Sequence, residues 1–409
     1  MGANRIDLKF IRSLYERIAP HITRTPLCPS TTLSTITGRD LHLKLENQQF
    51  TSSFKERGAL ARLQQLNPDE RAAGVITMSA GNHAQALARH ARRLHIPTTI
   101  VMPRTTPVAK IEKTKYFDPD IVLMGSTIDE SVAYVNAQAA SANLTLIHPY
   151  DDAYVIAGQG SLGIEILEQL PEVNTVVVPV GGGGLISGIA IALKEAKPSV
   201  RIVGVQSEQY SPIYASFHDR AWSAGRPQIS IAEGIAVKTP GRLTLPIIKD
   251  LVDDMVVVSE SAIETAIFRL LDIEKTLVEG AGAAALAAVQ EHPDIAKGKT
   301  VCVISGGNAD PSILANVIER SLVRHERVVR IFATVQDVPG SLSKLANDIG
   351  ETDSNIIDIY HRRAFGTSTL DATVVEITLQ LRGEDDKPSV IQKLRDLGHT
   401  VSDPDLANH

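Results

Sequence analysis

Short β-branched runs alternate with helical stretches along most of the chain. GVIT, which contains Ile76, precedes the alanine-rich AQALARHARRL. IPTTIVM and DIVLM follow, each with a helix-like stretch behind it, the second around Val132 to Ala142. LTLI, TVVVPV, RIVGVQ, DDMVVVS and KTVCVIS repeat the pattern. Strands that alternate with helices form parallel sheets covered on both faces, so they read as continuous apolar runs. Ligands in such sheets sit beyond the C-terminal ends of the strands. The loops that carry chemistry are therefore those after GVITM, TVVVPV and KTVCVI, which read SAGNH, GGGGL and SGGNAD.

The pattern changes after a charged stretch from Arg320 to Arg330. VVRIFATV reads as a strand, SLSKLANDIG as a helix and NIIDIYHRRA as a strand. DATVVEITLQL alternates as a half-buried strand does, KPSVIQKLRDLG is a helix closed by Gly398, and HTV is a short last strand. This βαββαβ order predicts a small ferredoxin-like α+β domain over 328–405, joined by a linker at 321–327 to a main α/β domain over 1–320.

Composition narrows the function classes. At 409 residues the chain is long enough for two or three globular units, and 43% hydrophobic with 22% charged residues argues against disorder. Lys plus Arg is 41 and Asp plus Glu is 47, a net charge of −6 without a long basic tract, so nucleic acid is not an expected partner. Cys28 and Cys302 are the only cysteines, too few for a disulfide framework or a four-cysteine zinc site, which fits a reducing cytoplasm. MGANRIDLKF has no apolar core of a secretory signal, and Ile6 stands where a myristoylation pattern needs Ser or Thr. Val173 to Leu193 is uncharged and long enough to suggest a membrane helix. Pro179 and four successive glycines interrupt it, so a strand, a glycine loop and a helix are expected there, and no membrane partner.

Four segments carry the candidate chemistry. In TSSFKERG, Ser52 or Ser53 is placed to cap a helix, with Glu56 completing a capping box. Lys55 then falls in the first turn, where the helix dipole favours the neutral amine that Schiff-base chemistry needs. Gly181, Gly182, Gly183 and Gly184 follow a strand and open a helix, the arrangement of a phosphate cradle. No GK[ST] ending follows, so this is not a nucleoside-triphosphate loop. Gly158, Gly160 and Gly163 formally satisfy G-x-G-x-x-G, but no strong strand precedes them and no acid lies twenty residues on. They are expected to serve helix packing. In SAGNH, Asn82 offers donor and acceptors among small neighbours, although a polar strand-to-helix cap would look the same, and His83 alone reads as structural. Ser305, at the end of a buried strand, needs a hydroxyl partner, which an internal backbone bond would also supply. No metal-ligand spacing is present among the acids.

SSFKERGA, SAGNHAQ, GGGGL and SGGN, in this order, resemble the fold type II pyridoxal-phosphate enzymes over residues ~5–320, and most closely the threonine/serine dehydratases. The resemblance implies a two-lobed α/β fold with doubly wound sheets, the smaller lobe spanning about 50–150. It implies that Lys55 links covalently to pyridoxal 5'-phosphate, that Phe54 and Gly234 flank its ring, and that Asn82 bonds its phenolic oxygen. Amides of Gly181 to Gly184 and Leu185 would hold the phosphate, and Ser305 the ring nitrogen. Ser79, Ala80, Gly81, Asn82 and His83 would receive the substrate amino acid. The implied reaction is loss of water and ammonia from L-threonine or L-serine, with serine racemisation or another 3-hydroxy amino acid as alternatives. Ala80 occupies the position where serine racemases of this family carry a second serine, which predicts weak racemisation. Gln206 and Pro212 stand where related enzymes place cation-binding acids, so no cation is expected. VQDVPGSL followed by SNIIDI resembles an ACT regulatory domain. That implies an amino-acid effector at Asp337, Val338, Pro339 and Gly340, and a homo-oligomer, dimer or tetramer.

Overall fold

The structure, a computed structural model, describes residues 6–126, 128–223, 230–361, 372–383 and 386–403. The chain divides into two compact units, Met1–Ile313 and Leu314–His409.

The first unit contains two sheets. The larger is built from β1 (Leu27–Pro29), β2 (Leu41–Leu45), β7 (Thr175–Pro179), β8 (Arg201–Ser207), β9 (Asp254–Val258) and β10 (Thr300–Ile304), in the order β1-β2-β10-β7-β8-β9. All its pairings are parallel except β1 on β2, an antiparallel edge that the simple strand–helix alternation does not announce. The smaller sheet holds β3 (Val75–Met78), β4 (Thr98–Met102), β5 (Asp120–Leu123) and β6 (Thr145–Leu146), all parallel, in the order β5-β4-β3-β6. Every residue of β7 is buried, as expected for a strand covered on both faces. Val176 and Val178 pack with Leu162, Ile186 and Ile189 in one apolar cluster.

The uncharged stretch 173–193 resolves as foreseen into β7, a glycine turn and the helix Gly184–Ala196. Among the described residues no helix is long and apolar enough to cross a membrane. Gly158, Gly160 and Gly163 lie in the helix Ala153–Gln169 and let it touch its neighbours closely. A Cβ on Gly158 would come within 2.8 Å of the Arg57 carbonyl, and one on Gly160 within 2.9 Å of the Gly188 carbonyl. These glycines are packing glycines, with no dinucleotide loop around them.

The helix Lys55–Leu63 is anchored by buried charge. Arg57 donates to Glu46 (2.8 Å) and to Glu165 (2.7 Å), Lys44 donates to Glu165 (2.6 Å), and all four side chains are fully buried. Two cations against two anions leave no net charge. That neutrality, with every group hydrogen-bonded, is the condition under which buried ions are tolerated. Glu56 turns the other way and meets the buried His90 (2.7 Å) and Arg89, on the helix Asn82–Arg93.

The second unit runs β11 (Val328–Gln336), helix Ser341–Gly350, β12 (Asn355–His361), β13 (Ala372–Gln380), helix Asp386–Asp396 and β14 (Thr400–Ser402). Its sheet is antiparallel throughout, in the order β12-β13-β11-β14, the ferredoxin-like arrangement of a βαββαβ chain. Val329, Ile331, Ala333 and Val335 alternate inward along β11 and pack with Leu345, Ile349 and Leu394 from the helices. The end of the expected strand NIIDIYHRRA, beyond His361, lies outside the described residues. The helix Pro311–Arg324 spans the division between the units, so 321–324 are helical and 325–327 turn into β11.

Candidate active site

The TSSFK and SGGN segments are laced together by backbone. Phe54 N donates to Ser305 O (3.1 Å), Gly307 N to Ser52 O (2.8 Å), and Ser53 bridges Gly306 in antiparallel fashion. This pairing changes the expected helix start. The N-cap is Phe54, with no side-chain cap, while Ser52 adopts φ 54° and the Ser53 hydroxyl is buried without a partner. Residue 53 is committed to the bridge, so the capping box of Ser52 or Ser53 with Glu56 does not form. Glu56 instead accepts from Thr51 N (3.2 Å) and Oγ1 (2.5 Å).

Lys55 is the first residue of the helix, as expected, and its Nζ donates to Pro149 O (2.7 Å). Burial pulls its pKa from 10.5 down to about 8, against the opposing charge of Glu279. Desolvation is thus the main cause resolved for the shift toward the neutral amine.

The glycine loop sits beside the next residue along, Tyr150. A Cβ on Gly182 or Gly184 would strike the Tyr150 ring or its backbone, and Gly183 has φ 95°, so no other residue fits without displacement. Thr244 Oγ1 donates to Gly182 O (2.6 Å) and Gln206 Nε2 to Val180 O (3.1 Å), which hold loop carbonyls away. Gly184 and Leu185 are the first residues of the helix, where N–H groups lack helical acceptors. Their amides suit an anion, while the Leu185 side chain belongs to the apolar core. Gly181 packs against Gly234 O at 3.2 Å from an added Cβ, and Gly234 faces Ala281 at 2.9 Å in the same sense. Ser305 Oγ makes one weak bond, to Ala281 O (3.5 Å).

These contacts close a ring: Lys55, Pro149–Tyr150, the glycine loop, Gly234, Ala281, Ser305 and back to Phe54. Asn82 joins it through Glu279, whose Oε1 accepts from Asn82 Nδ2 (2.6 Å), and through Asn308, whose Nδ2 donates to Asn82 Oδ1 (2.6 Å). Burial lifts the Glu279 carboxyl from 4.5 to about 7. In the SAGNH loop, Gly81 N donates to Ser79 Oγ (3.3 Å), and Ala80 packs against an apolar cluster. His83 Nε2 contacts Ile147 O (3.2 Å), and burial drives its pKa down to about 3, so it stays neutral.

Six site-forming residues had not been singled out from sequence for the roles they play here: Pro149, Tyr150, Gln206, Thr244, Glu279 and Asn308. Gln206 also braces the backbone that follows β8. Its Oε1 accepts from Ile213 N and Tyr214 N (2.9 Å each). Among the described residues no group of three or more His, Cys, Asp and Glu is placed to hold a metal ion. Asp337, Val338, Pro339 and Gly340 belong to the second unit, in the turn between β11 and the helix Ser341–Gly350.

Comparison with known proteins gives the family. Residues 18–307 match the family of pyridoxal-phosphate dependent enzymes. The chain belongs to that family. Its cofactor is pyridoxal 5'-phosphate. An L-threonine ammonia-lyase of Geobacter sulfurreducens is 41% identical over 393 residues, 96% of this chain and 98% of the relative. Solved structures that resemble the chain include a processed threonine deaminase of Solanum lycopersicum (TM-score 0.73, 35% identity, 77% of this chain and 88% of that one). Maize serine racemase is similarly close (TM-score 0.72, 35% identity, 78% of this chain and 99% of that one). The residues fit such a cofactor: a lysine with a lowered pKa, an amide cradle that only glycine permits, and a serine hydroxyl with spare hydrogen-bonding capacity.

Proposed function

We propose that this pyridoxal-phosphate enzyme deaminates L-threonine, and L-serine beside it, by eliminating water, giving 2-oxobutanoate or pyruvate and ammonia. The observation that carries the reading is the closed ring of Lys55, the glycine loop and Ser305, in a chain with threonine ammonia-lyase relatives along nearly its whole length. Bound at this site, the cofactor supplies an electron sink for the substrate's α-carbon.

The chain's own residues do the rest. Lys55 would attach the cofactor, and its Nζ would serve as the positioned base that takes the α-proton. Gly181 to Gly184 and Leu185 hold the phosphate on backbone amides. Phe54 and Gly234 flank the ring, and Asn82 donates to the phenolic oxygen. Ser305 accompanies the ring nitrogen as a neutral hydroxyl, which does not favour a protonated ring and so suits prompt elimination. Ser79 to His83 receive the substrate carboxylate. The enamine released after water loss tautomerises and hydrolyses to the 2-oxo acid and ammonia.

The racemase alternative has the maize structure in its favour. Against it, Ala80 presents a methyl group packed on apolar side chains and has no proton to deliver. The second unit is proposed to be an ACT domain that takes an amino-acid effector on the turn Asp337–Gly340, and the protein to be a cytoplasmic homo-oligomer. The edge strand β12 exposes Ile357 and Tyr360, both 53% accessible, which supports pairing through that edge.

The test is a turnover panel on cofactor-loaded protein with L-threonine, L-serine, their D-forms and 3-hydroxyaspartate, reading ammonia, 2-oxo acid and substrate configuration. Fastest 2-oxo acid release from L-threonine is expected, with little D-serine from L-serine. Activity confined to 3-hydroxyaspartate, or racemisation outrunning elimination, would overturn the assignment.

A further inference from the structure

Glu279 is an acid that the reaction above does not use, set where several site segments meet. It immediately precedes the helix Gly280–Glu291, yet its side chain does not cap that helix. Its N–H donates to Gly306 O (3.1 Å), and a side chain on Gly306 would collide with its carboxyl group, so glycine there makes room for the acid. Asn82 is held from both ends. Its Oδ1 accepts from Asn308 Nδ2 (2.6 Å), which also donates to Thr51 O (2.8 Å), and its Nδ2 donates to Glu279 (2.6 Å). With Oδ1 occupied, the amide has one orientation, and one Nδ2 hydrogen remains to donate elsewhere.

We propose that Glu279 is the positioning residue of Asn82 and works as a neutral acid: by accepting one Asn82 hydrogen it aims the other at the cofactor's ring oxygen. This rests on the reading that Asn82 bonds that oxygen. The charged groups around Glu279 are the amine of Lys55, Lys110, Lys113 and Glu233. Burial, the largest effect, and Glu233 favour the protonated form, while the hydrogen bond from Asn82 and the lysines oppose it, and the balance leaves the group titrating at about 7. An electron-rich ring oxygen on the far side of Asn82 pushes further toward protonation. When Glu279 ionises, it draws Asn82 Nδ2 more strongly and the hold on the ring oxygen weakens.

Glu279→Gln keeps the size and an acceptor oxygen but cannot ionise. In the loaded wild type, the visible absorbance of the bound cofactor is expected to show a pH transition at or above about 7 that Glu279→Gln lacks. At acid pH the two spectra and their KM and kcat should coincide. Glu279→Ala, which leaves Asn82 held from the Asn308 side alone, should retain the cofactor about tenfold less tightly than wild type at acid pH. A readout without cofactor comes from thermal melting. The folded pKa of about 7 lies above the ordinary 4.5, so wild type is most stable relative to Glu279→Gln below 4.5 and loses ground as pH rises to about 7. A wild type without a visible band would overturn the cofactor reading and this one with it. A visible band whose titration is the same in Glu279→Gln, or unaltered retention in Glu279→Ala, overturns the role of Glu279 alone.

Discussion

In the proposed reaction Lys55 acts as a neutral nucleophile, although a lysine in water is a cation. The structure resolves this by taking its amine out of water beside Pro149 O, which lowers the pKa to about 8. The neutral amine is the form that attacks the cofactor aldehyde, so the rate of cofactor attachment to the cofactor-free protein should climb as pH rises through about 8 and level off above it. Stopped-flow absorbance checks this; a rate already flat well below that pH would show that burial does not tune the amine. At the glycine loop, Gly182→Ala should cost most of the cofactor affinity, read by equilibrium dialysis, because its Cβ must displace the Tyr150 ring. The segments that meet in this ring stand out in the sequence because glycine runs, a lysine after serines and a strand-end serine are unusual combinations. Glu279 does not. An acid ahead of an alanine-rich helix is an ordinary start signal, and only the fold brings it to Asn82.

The helix Lys55–Leu63 owes its placement to close packing on Ala153–Gln169 and to the buried ion network of Arg57, and each suggests a test. Gly158→Ala would press a Cβ onto the Arg57 carbonyl and the Gly58 Cα, each at 2.8 Å, and should lower stability by about 1–3 kcal/mol in chemical denaturation. Arg57→Ala leaves Glu46 and Glu165 buried with one cation fewer, and should cost about 3–5 kcal/mol. A loss below ~1 kcal/mol would mean water reaches the network. The same network explains what sequence patterning missed. Leu41–Leu45 reads LHLKL, a half-polar strand by its pattern, yet all five residues are buried because Lys44 finds Glu165. The central strands β7, β8 and β10 were readable because two-sided burial writes continuous apolar runs. The antiparallel edge β1, three residues long, offered no period to read.

At the scale of the whole molecule, two units of different architecture share one chain. The alternating strand β11 and the ferredoxin-like order of the second unit were both legible, since one-sided burial imposes a period of two. An effector for that unit is suggested only by resemblance. If Asp337–Gly340 takes an amino acid, at least one of the twenty should shift the full-length enzyme's thermal transition or its kinetics. Gly340→Ala, strained by φ 93°, should blunt that response while leaving turnover without effector unchanged. No response to any of the twenty would remove the effector role.

Lys55 is proposed to drive elimination from L-threonine. The direct measurement is the yield of ammonia and 2-oxobutanoate from L-threonine by cofactor-loaded wild type and by Lys55→Ala, each verified folded by circular dichroism. Equal amounts of the two products from wild type, and at least a roughly thousandfold slower release from Lys55→Ala, are predicted. Product formation by Lys55→Ala at the parental rate would contradict the account.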